Sequence, residues 1–277
     1  MSPPKDPYRF FRSTIKVPSW AFKPDDWTNE FLVGLAELST GWRGKRVWEI
    51  GVGTGINLVM LSTAKNVEWY FSDFDERCVP LALENIRRFT RNNRQLCKKL
   101  HPLFGVWDIF TPLQESGVEV PKVDVVYGCL PQVPAHIDLS VGDRIAHYYD
   151  PERYPEAHLH ALGLGLVETL LTRAREVLNP KGSVVLNLAG RPGRKRLLSL
   201  FRKAGYEPHV VHSASIAQHQ GTSLASLAEL EKNGHDDFEF FNGFDCQELI
   251  DAREAEARRL RGESIYHNIY VIVGTLS

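Results

Sequence analysis

The sequence predicts an α/β fold: a mostly parallel, seven-stranded sheet with helices on both faces, preceded by an N-terminal cap. Three observations carry this. From residue 45 onward, short apolar strand-like runs alternate with helical patterns, as in a parallel sheet covered on both sides. The first run ends in three alternating glycines, Gly51, Gly53 and Gly55. A long excursion, about 214–262, separates the last two strands, more than a bare α/β connection needs.

The elements follow in order. Residues 1–44 read as the cap: a Pro-rich start, then a helix from Asp26 to Ser39, with Asp25 or Asp26 as N-cap and Phe31, Leu32, Leu35 and Leu38 on one face. Residues 45–277 form the main domain. Arg46–Ile50 is its first strand and Ile56–Thr63 its first helix. Val67–Ser72 is the second strand, followed by a helix over Pro80–Lys99. Leu103–Val106 reads as the third strand and Asp124–Tyr127 as the fourth. Leu162–Leu178 is a helix, Gly182–Leu188 a strand, Lys195–Ala204 a helix and His209–His212 a strand. Within the excursion, Leu224–Leu230 and Gln247–Leu260 read as helices and Phe238–Phe241 as extended. Tyr266–Val273 closes the sheet.

Composition excludes several classes. The chain has 277 residues, 43% hydrophobic and 24% charged, with 33 basic and 34 acidic residues and a net charge of −1. Disorder and fibrous repeats do not fit this balance, nor does nucleic-acid binding by bulk charge. No apolar run approaches the roughly 20 residues that span a bilayer, and MSPPKDPYRFF lacks a signal-peptide core. Cys78, Cys97, Cys129 and Cys246 are scattered, which suits reduced thiols in a cytoplasmic protein and no zinc site. His158 and His160 lack an acid or cysteine nearby to complete a metal set.

Val47-Trp-Glu-Ile-Gly-Val-Gly-Thr-Gly55 is the most informative segment. Glycines let a backbone turn tightly and approach a ligand with no Cβ in the way. A dinucleotide fingerprint requires Gly-x-Gly-x-x-Gly, but here Ile56 stands where the third fingerprint glycine belongs. Glu49, two residues before Gly51, would repel a pyrophosphate and could hold a ligand with free amino groups. Asp73, at the end of the second strand, is placed to grip ribose hydroxyls. Asp108 could accept from an adenine amino group while Phe74 and Ile109 sandwich the ring. Together these elements resemble class I S-adenosylmethionine-dependent methyltransferases.

Asp124-Val-Val-Tyr-Gly-Cys-Leu-Pro-Gln132 sits where amine-directed methyltransferases carry Asn-Pro-Pro-Tyr. Here the four positions are Cys129, Leu130, Pro131 and Gln132, which weakens a clamp for an N–H group. A thioether fits better: its sulfur has a lone pair and no proton, so methyl transfer needs no general base. It needs alignment, exclusion of water and groups that tolerate a sulfonium. The Cys129 thiol is not required by such chemistry and reads as a small residue lining the cofactor pocket.

At this point the sequence resembles methionine S-methyltransferases: the N-terminal catalytic domain of the plant enzyme and shorter bacterial relatives linked to dimethylsulfoniopropionate synthesis. The likeness runs through Asp26-Trp27-Thr28, Glu49–Gly55, Gly128–Gln132, Gly163–Leu166, Asn187–Gly193, Leu227–Asn233 and Phe238–Phe241. It implies methyl transfer from S-adenosyl-L-methionine to L-methionine, giving S-methyl-L-methionine. Implied cofactor contacts are Trp27, Glu49, Gly51, Gly53, Gly55, Asn57, Asp73, Phe74, Asp108, Ile109 and Cys129. Tyr127 and Gln132 fall close to the expected methyl-transfer point. Pro131, Tyr148, Tyr149 and Arg191 are the substrate-binding candidates, with no metal. Arg191 could fork onto a carboxylate, or pair with a structural acid. Tyr148, Tyr149 and Tyr154 could cage a sulfonium, or be loop tyrosines. Glu239 could take an ammonium, or lie on a strand edge. The resemblance further implies a homodimer acting on a small molecule, with no nucleic-acid or membrane partner.

Three alternatives share parts of this reading. One is methylation of another small-molecule amine or thioether in secondary metabolism. Another is a nucleic-acid or protein methyltransferase, supported only by the basic run Arg87, Arg88, Arg91, Arg94, Lys98 and Lys99. The last is a cofactor binder without catalysis.

Overall fold

The computed structural model describes residues 15–61, 64, 66–90, 99–113, 118–132, 134, 150–234 and 237–277. In chain order they form α1 (Asp26–Ser39), β1 (Arg46–Ile50), α2 (Ile56–Leu61), β2 (Glu68–Ser72), α3 (Cys78–Phe89), β3 (Leu100–Pro102), β4 (Trp107–Asp108), β5 (Thr111–Pro112) and β6 (Val123–Gly128). Then come α4 (Gly165–Val177), β7 (Leu178–Ala189), α5 (Arg194–Lys203), β8 (Tyr206–Ala217), α6 (Ala225–Lys232), β9 (Phe240–Phe241), β10 (Leu249–Ile250), α7 (Ala252–Leu260) and β11 (Tyr266–Leu276). No described helix is long and apolar enough to cross a membrane.

Two compact units result. The first comprises Met1–Cys129, Arg173–Leu186 and Val273–Ser277; the second comprises Leu130–Thr172 and Asn187–Ile272. In the first unit the strand order is β7-β6-β1-β2-β3, all parallel. The chain starts at β1, steps outward to β2 and β3, and returns to the other side of β1 with β6. Ligands of such sheets bind outside the carboxyl ends of the strands at that reversal. The central strands are buried on both faces, and from Val47 to Ile50 β1 is buried, with Glu49 as the polar side chain among them. In the second unit β9 pairs antiparallel with β10 and β11, and β8 also pairs with β11. The described residues form nine sheet strands where seven are expected, besides the β4–β5 hairpin. The extra pair is β9 and β10, both inside the excursion.

The α1 boundaries match expectation because the cap is chemical. Asp25 accepts from the Thr28 N–H at 3.2 Å, and the Thr28 hydroxyl accepts from the Asp25 N–H at 3.3 Å. Phe31, Leu32 and Leu35 are buried. The third strand differs: it is Leu100–Pro102, not 103–106. Leu103 still donates to the Phe71 carbonyl at 3.0 Å, but Gly105 then turns with φ +83° and Phe104 is thrown out to solvent. The long helix begins at Gly165, after a turn of 3-10 helix over His160–Leu162 that Gly163 ends in the left-handed region. Strand β8 runs from Tyr206 to Ala217, longer than 209–212. The charged excursion helix starts only at Ala252, where Asp251 caps it by accepting from the Glu254 N–H at 2.7 Å. Beyond Phe89 the expected 80–99 helix runs into residues outside the described ones, as do Arg91, Arg94 and Lys98.

Candidate active site

The first unit builds a pocket-forming turn around a buried acid. Glu49 lies on β1, directly beside Tyr127 of β6 in the parallel register. Both are buried, and the Tyr127 hydroxyl donates to Glu49 Oε2 at 2.9 Å. Asn57, from the first turn of α2, donates its Nδ2 to Glu49 Oε1 at 2.7 Å. Burial pushes the Glu49 carboxyl up to about 8, against the pull of those two donors. Burial and then the Glu49 charge raise the Tyr127 phenol, so it remains a donor. The Tyr127 ring is fixed by Trp42, stacked at 5.7 Å, and by Phe31, tilted at 6.2 Å.

The glycine turn follows. Gly51, Gly53 and Gly55 have φ of +72°, +51° and +74°, a path that L side chains rarely follow. At Gly55 space also forbids a side chain, since an added Cβ would lie 2.7 Å from the Ala82 Cβ of α3. At Gly53 the opposite holds: nothing lies within 4 Å of an added Cβ, so the turn is open there. The Gly53 N–H donates to Asp73 Oδ2 at 2.8 Å, and the Asp75 N–H donates to Asp73 Oδ1 at 2.9 Å. Burial raises the Asp73 carboxyl to about 6 despite these bonds. Asp73 thus ties the turn after β1 to the turn after β2, and its carboxylate also bonds to the Cys78 thiol.

Phe74 is half-buried after β2. Asp108 ends β4, with Arg173 at 3.7 Å. Ile109 opens the two-residue turn between β4 and β5, is 5% exposed and has φ +59°. A β-branched side chain there is strained. Trp27 lies half-buried on α1, and Cys129 is half-buried just past β6.

One observation suits this turn to a ligand that carries an ammonium. Asn57 Oδ1 is buried with no hydrogen-bond partner among the described residues. An unsatisfied buried acceptor beside a buried carboxyl is costly to leave and matches a ligand ammonium. The sequence-expected residues Glu49, Asn57, Gly53 and Asp73 are therefore gathered around one turn.

The second unit organises the other candidates. Gln132 is 9% exposed; its Oε1 accepts from the Ala189 N–H at 2.5 Å, while its Nε2 is buried without a partner among the described residues. Pro131 beside it is half-buried. Arg191 Nη2 donates to the Gln132 carbonyl at 3.4 Å. Burial lowers the Arg191 guanidinium to about 10, still charged at neutral pH. His267 is buried; desolvation and then the Arg191 charge lower it to about 3, so it stays neutral.

The Gly190-Arg-Pro-Gly193 loop explains its own glycines. An added Cβ at Gly190 would lie 2.9 Å from the Asn268 carbonyl, and one at Gly193 only 2.3 Å from the Asp237 carbonyl. The Glu239 N–H donates to the Arg191 carbonyl at 3.1 Å, and Glu239 Oε1 accepts from the Arg194 N–H at 2.7 Å. The two particular sequence segments, GRPG and FEFF, are thus one packed unit, and Glu239 caps α5. Gly193→Ala is expected to destabilise the protein by at least about 2 kcal/mol, since φ is +89° and backbone blocks the side chain. A chemical-denaturation midpoint equal to wild type would refute this packing.

Tyr148 and Tyr149 lie outside the described residues. Tyr154 is 3% exposed, and its carbonyl meets His160 Nε2 at 2.9 Å. His158 gives its backbone N–H to Glu168 at 2.7 Å. No group of acids, histidines and cysteines among the described residues could hold a metal. Sequence reasoning missed Trp42, Asn85 and His267. Asn85 alone left a signal, as a polar residue on the apolar Leu81-Ala82-Ile86 face of α3.

Strand order, glycine turn and flanking acids define the class: this is the Rossmann-like fold of class I methyltransferases. No family model matches the chain. It is 27% identical over 287 residues to methionine S-methyltransferase of Zea mays, covering 93% of this chain and 25% of the relative. It is 26% identical over 301 residues to methionine S-methyltransferase of Arabidopsis thaliana, covering 96% of this chain and 27% of the relative. The resemblance to methionine S-methyltransferases read from the sequence is thus borne out, and the chain spans about a quarter of the length of these curated relatives. Among solved structures, it aligns with a precorrin-6y C5,15-methyltransferase from Geobacter metallireducens at 13% identity, over 95% of this chain and 97% of that one, with a TM-score of 0.47.

Proposed function

We propose that the chain is an S-adenosyl-L-methionine-dependent methyltransferase that acts on the thioether of L-methionine, giving S-methyl-L-methionine and S-adenosylhomocysteine. The observation that carries the substrate class is Gln132. Its side-chain oxygen already accepts from the Ala189 N–H, and its buried Nε2 is the polar atom left without a partner among the described residues. A site whose open polar group is a donor suits an acceptor with a lone pair and no proton, such as a thioether, better than an amine N–H.

The bound cofactor would supply an electrophilic methyl group on a sulfonium. Glu49 and the Asn57 amide oxygen receive its ammonium, and Asp73 its ribose hydroxyls. Gly51, Gly53 and Gly55 admit it without a Cβ in the way. Asp108, Phe74 and Ile109 line the base, with Trp27 and Cys129 at the margins. The thioether sulfur forms the new carbon–sulfur bond as the cofactor's breaks, and no proton moves, so no residue need act as a base. Arg191 holds the substrate carboxylate, and Gln132 and Pro131 flank the acceptor. Tyr127 fits better as the support of Glu49 than as a group touching the methyl. The same reading includes a cytoplasmic homodimer with neither nucleic-acid nor membrane partners.

The test is an endpoint assay by mass spectrometry. Protein is incubated with methyl-labelled S-adenosylmethionine and, separately, L-methionine, glycine, glutamine, homocysteine and bulk RNA. Label is expected in S-methylmethionine alone. Label in an amine or in RNA would refute the thioether assignment while keeping the cofactor.

A further inference from the structure

The segment before α1 is fastened to the turns after β1 and β2 by two separate anchors. Asn85 projects from the middle of α3 and is fully buried. Its Oδ1 accepts from the Lys16 N–H at 2.7 Å. Its Nδ2 donates to the Lys16 carbonyl and to the Thr54 carbonyl, each at 2.9 Å. Thr54 lies between Gly53 and Gly55. One amide therefore holds a two-bond, strand-like pairing with Lys16 and fixes the glycine turn.

A second anchor reaches the other turn. Trp20 lies under the Arg77 guanidinium, 4.4 Å from its ring centroid. Arg77 donates from Nε and Nη2 to the Asp75 carboxylate, at 2.8 and 2.6 Å. The Asp75 N–H in turn donates to Asp73. Further fastenings are the buried Ile15, the Lys16 Nζ bond to Glu84 at 3.0 Å and the Ala21 to Pro18 backbone bond.

The glycine turn needs such support. Three glycines in five residues leave it with maximal backbone freedom in the unfolded and ligand-free chain. Within the turn, the Gly51 and Val52 N–H groups bond to Ser72 and Gly53 to Asp73. The Thr54 carbonyl is secured by Asn85. Loss of that bond would leave a carbonyl without its partner and a turn free to rotate its peptide planes, while every residue proposed to touch the cofactor stays in place.

We propose that Asn85 is a positioning residue for the cofactor turn and that residues 15–20 are the strap it engages, so that docking of this strap sets cofactor affinity. The inference rests on the cofactor reading given above. Both anchors end on the turns proposed to hold the cofactor, so the strap acts on binding and not on the methyl-transfer step.

The test compares three single variants with wild type by calorimetric titration with S-adenosylhomocysteine, at a temperature well below each variant's melting point. Binding by wild type tests the cofactor reading alone; its failure there would be a failure of that reading and not of the strap. Asn85→Asp keeps the acceptor for the Lys16 N–H but loses the donors to the Lys16 and Thr54 carbonyls. Trp20→Ala removes the outer anchor and leaves Asn85 intact, and so serves if Asn85→Asp does not fold. Trp20→Phe keeps an aromatic face under Arg77 and is the rescue. Asn85→Asp and Trp20→Ala are each expected to weaken binding about tenfold, the scale of one lost buried hydrogen bond or cation–π contact. They should raise the KM for S-adenosylmethionine and leave kcat and the acceptor KM within about twofold. Trp20→Phe should restore most of the affinity. Melting points that fall while the affinity of the folded protein stays at the wild-type value would overturn the proposal, as would a fall in kcat at unchanged cofactor KM.

Discussion

Replacing Glu49 with Gln is expected to lower affinity for S-adenosylhomocysteine by roughly a hundredfold, the scale of a lost buried charge-assisted hydrogen bond. It should also flatten the pH dependence of binding. In the ligand-free protein burial holds the Glu49 carboxyl near 8, against an ordinary value of 4.5. The acid must give up its proton to pair with an ammonium, so wild-type affinity should rise from about pH 6 to about pH 8. The sign for stability is opposite. An acid whose folded value is raised contributes stability that is complete below its unfolded value and lost as pH climbs through the folded one. Asp73, raised to about 6, adds in the same direction over a lower range. The ligand-free melting temperature should therefore fall between about pH 5 and pH 8, less steeply in Glu49→Gln. Titration calorimetry and thermal melts across that range check both. A Gln variant that binds like wild type and keeps the same slope would remove Glu49 from the site.

The second large effect is expected at Arg191. Arg191→Met should raise the KM for L-methionine by roughly a hundredfold, since a buried cation paired to a ligand carboxylate is worth about 2–5 kcal/mol on truncation. Stability should change little, because an apolar side chain of similar length replaces a buried charge. The methyl ester of methionine separates recognition from general damage. Wild type should discriminate strongly against the ester, and the Met variant should not. Equal discrimination in both proteins would assign Arg191 to the loop's architecture alone, as the partner of the Gln132 carbonyl.

The legible parts were those set by local rules. The sequence placed α1 at Asp26–Ser39 with Asp25 or Asp26 as N-cap, and the structure selects Asp25 through its exchange with Thr28. The glycines after β1 and the acids at Glu49 and Asp73 stood at spacings that a turn between parallel strands requires, and the fold gathers them. Other features depended on distant partners. Tyr127 sits next to the altered fourth-strand motif in sequence, yet its hydroxyl belongs to Glu49 because the β1–β6 register sets the two side by side. Asn85 and Lys16 are 69 residues apart, and no short-range pattern joins them. Leu103–Val106 looked extended, and only the positive φ of Gly105 ended the strand early. The GRPG and FEFF segments were recognisable as particular, but their mutual dependence came from the Asp237 carbonyl, which lies 2.3 Å from where a Cβ on Gly193 would sit.

Ile109 has a consequence for laboratory evolution. A β-branched residue at φ +59° withholds about 1 kcal/mol or more that glycine or asparagine would recover. A random library screened only for survival of heating should therefore enrich Ile109→Gly and Ile109→Asn early. The same library screened for turnover at low cofactor concentration should reject them, because each strips an apolar wall from the proposed base pocket. The two screens would pull this one codon in opposite directions, which makes position 109 a convenient gauge of which pressure a given selection is applying.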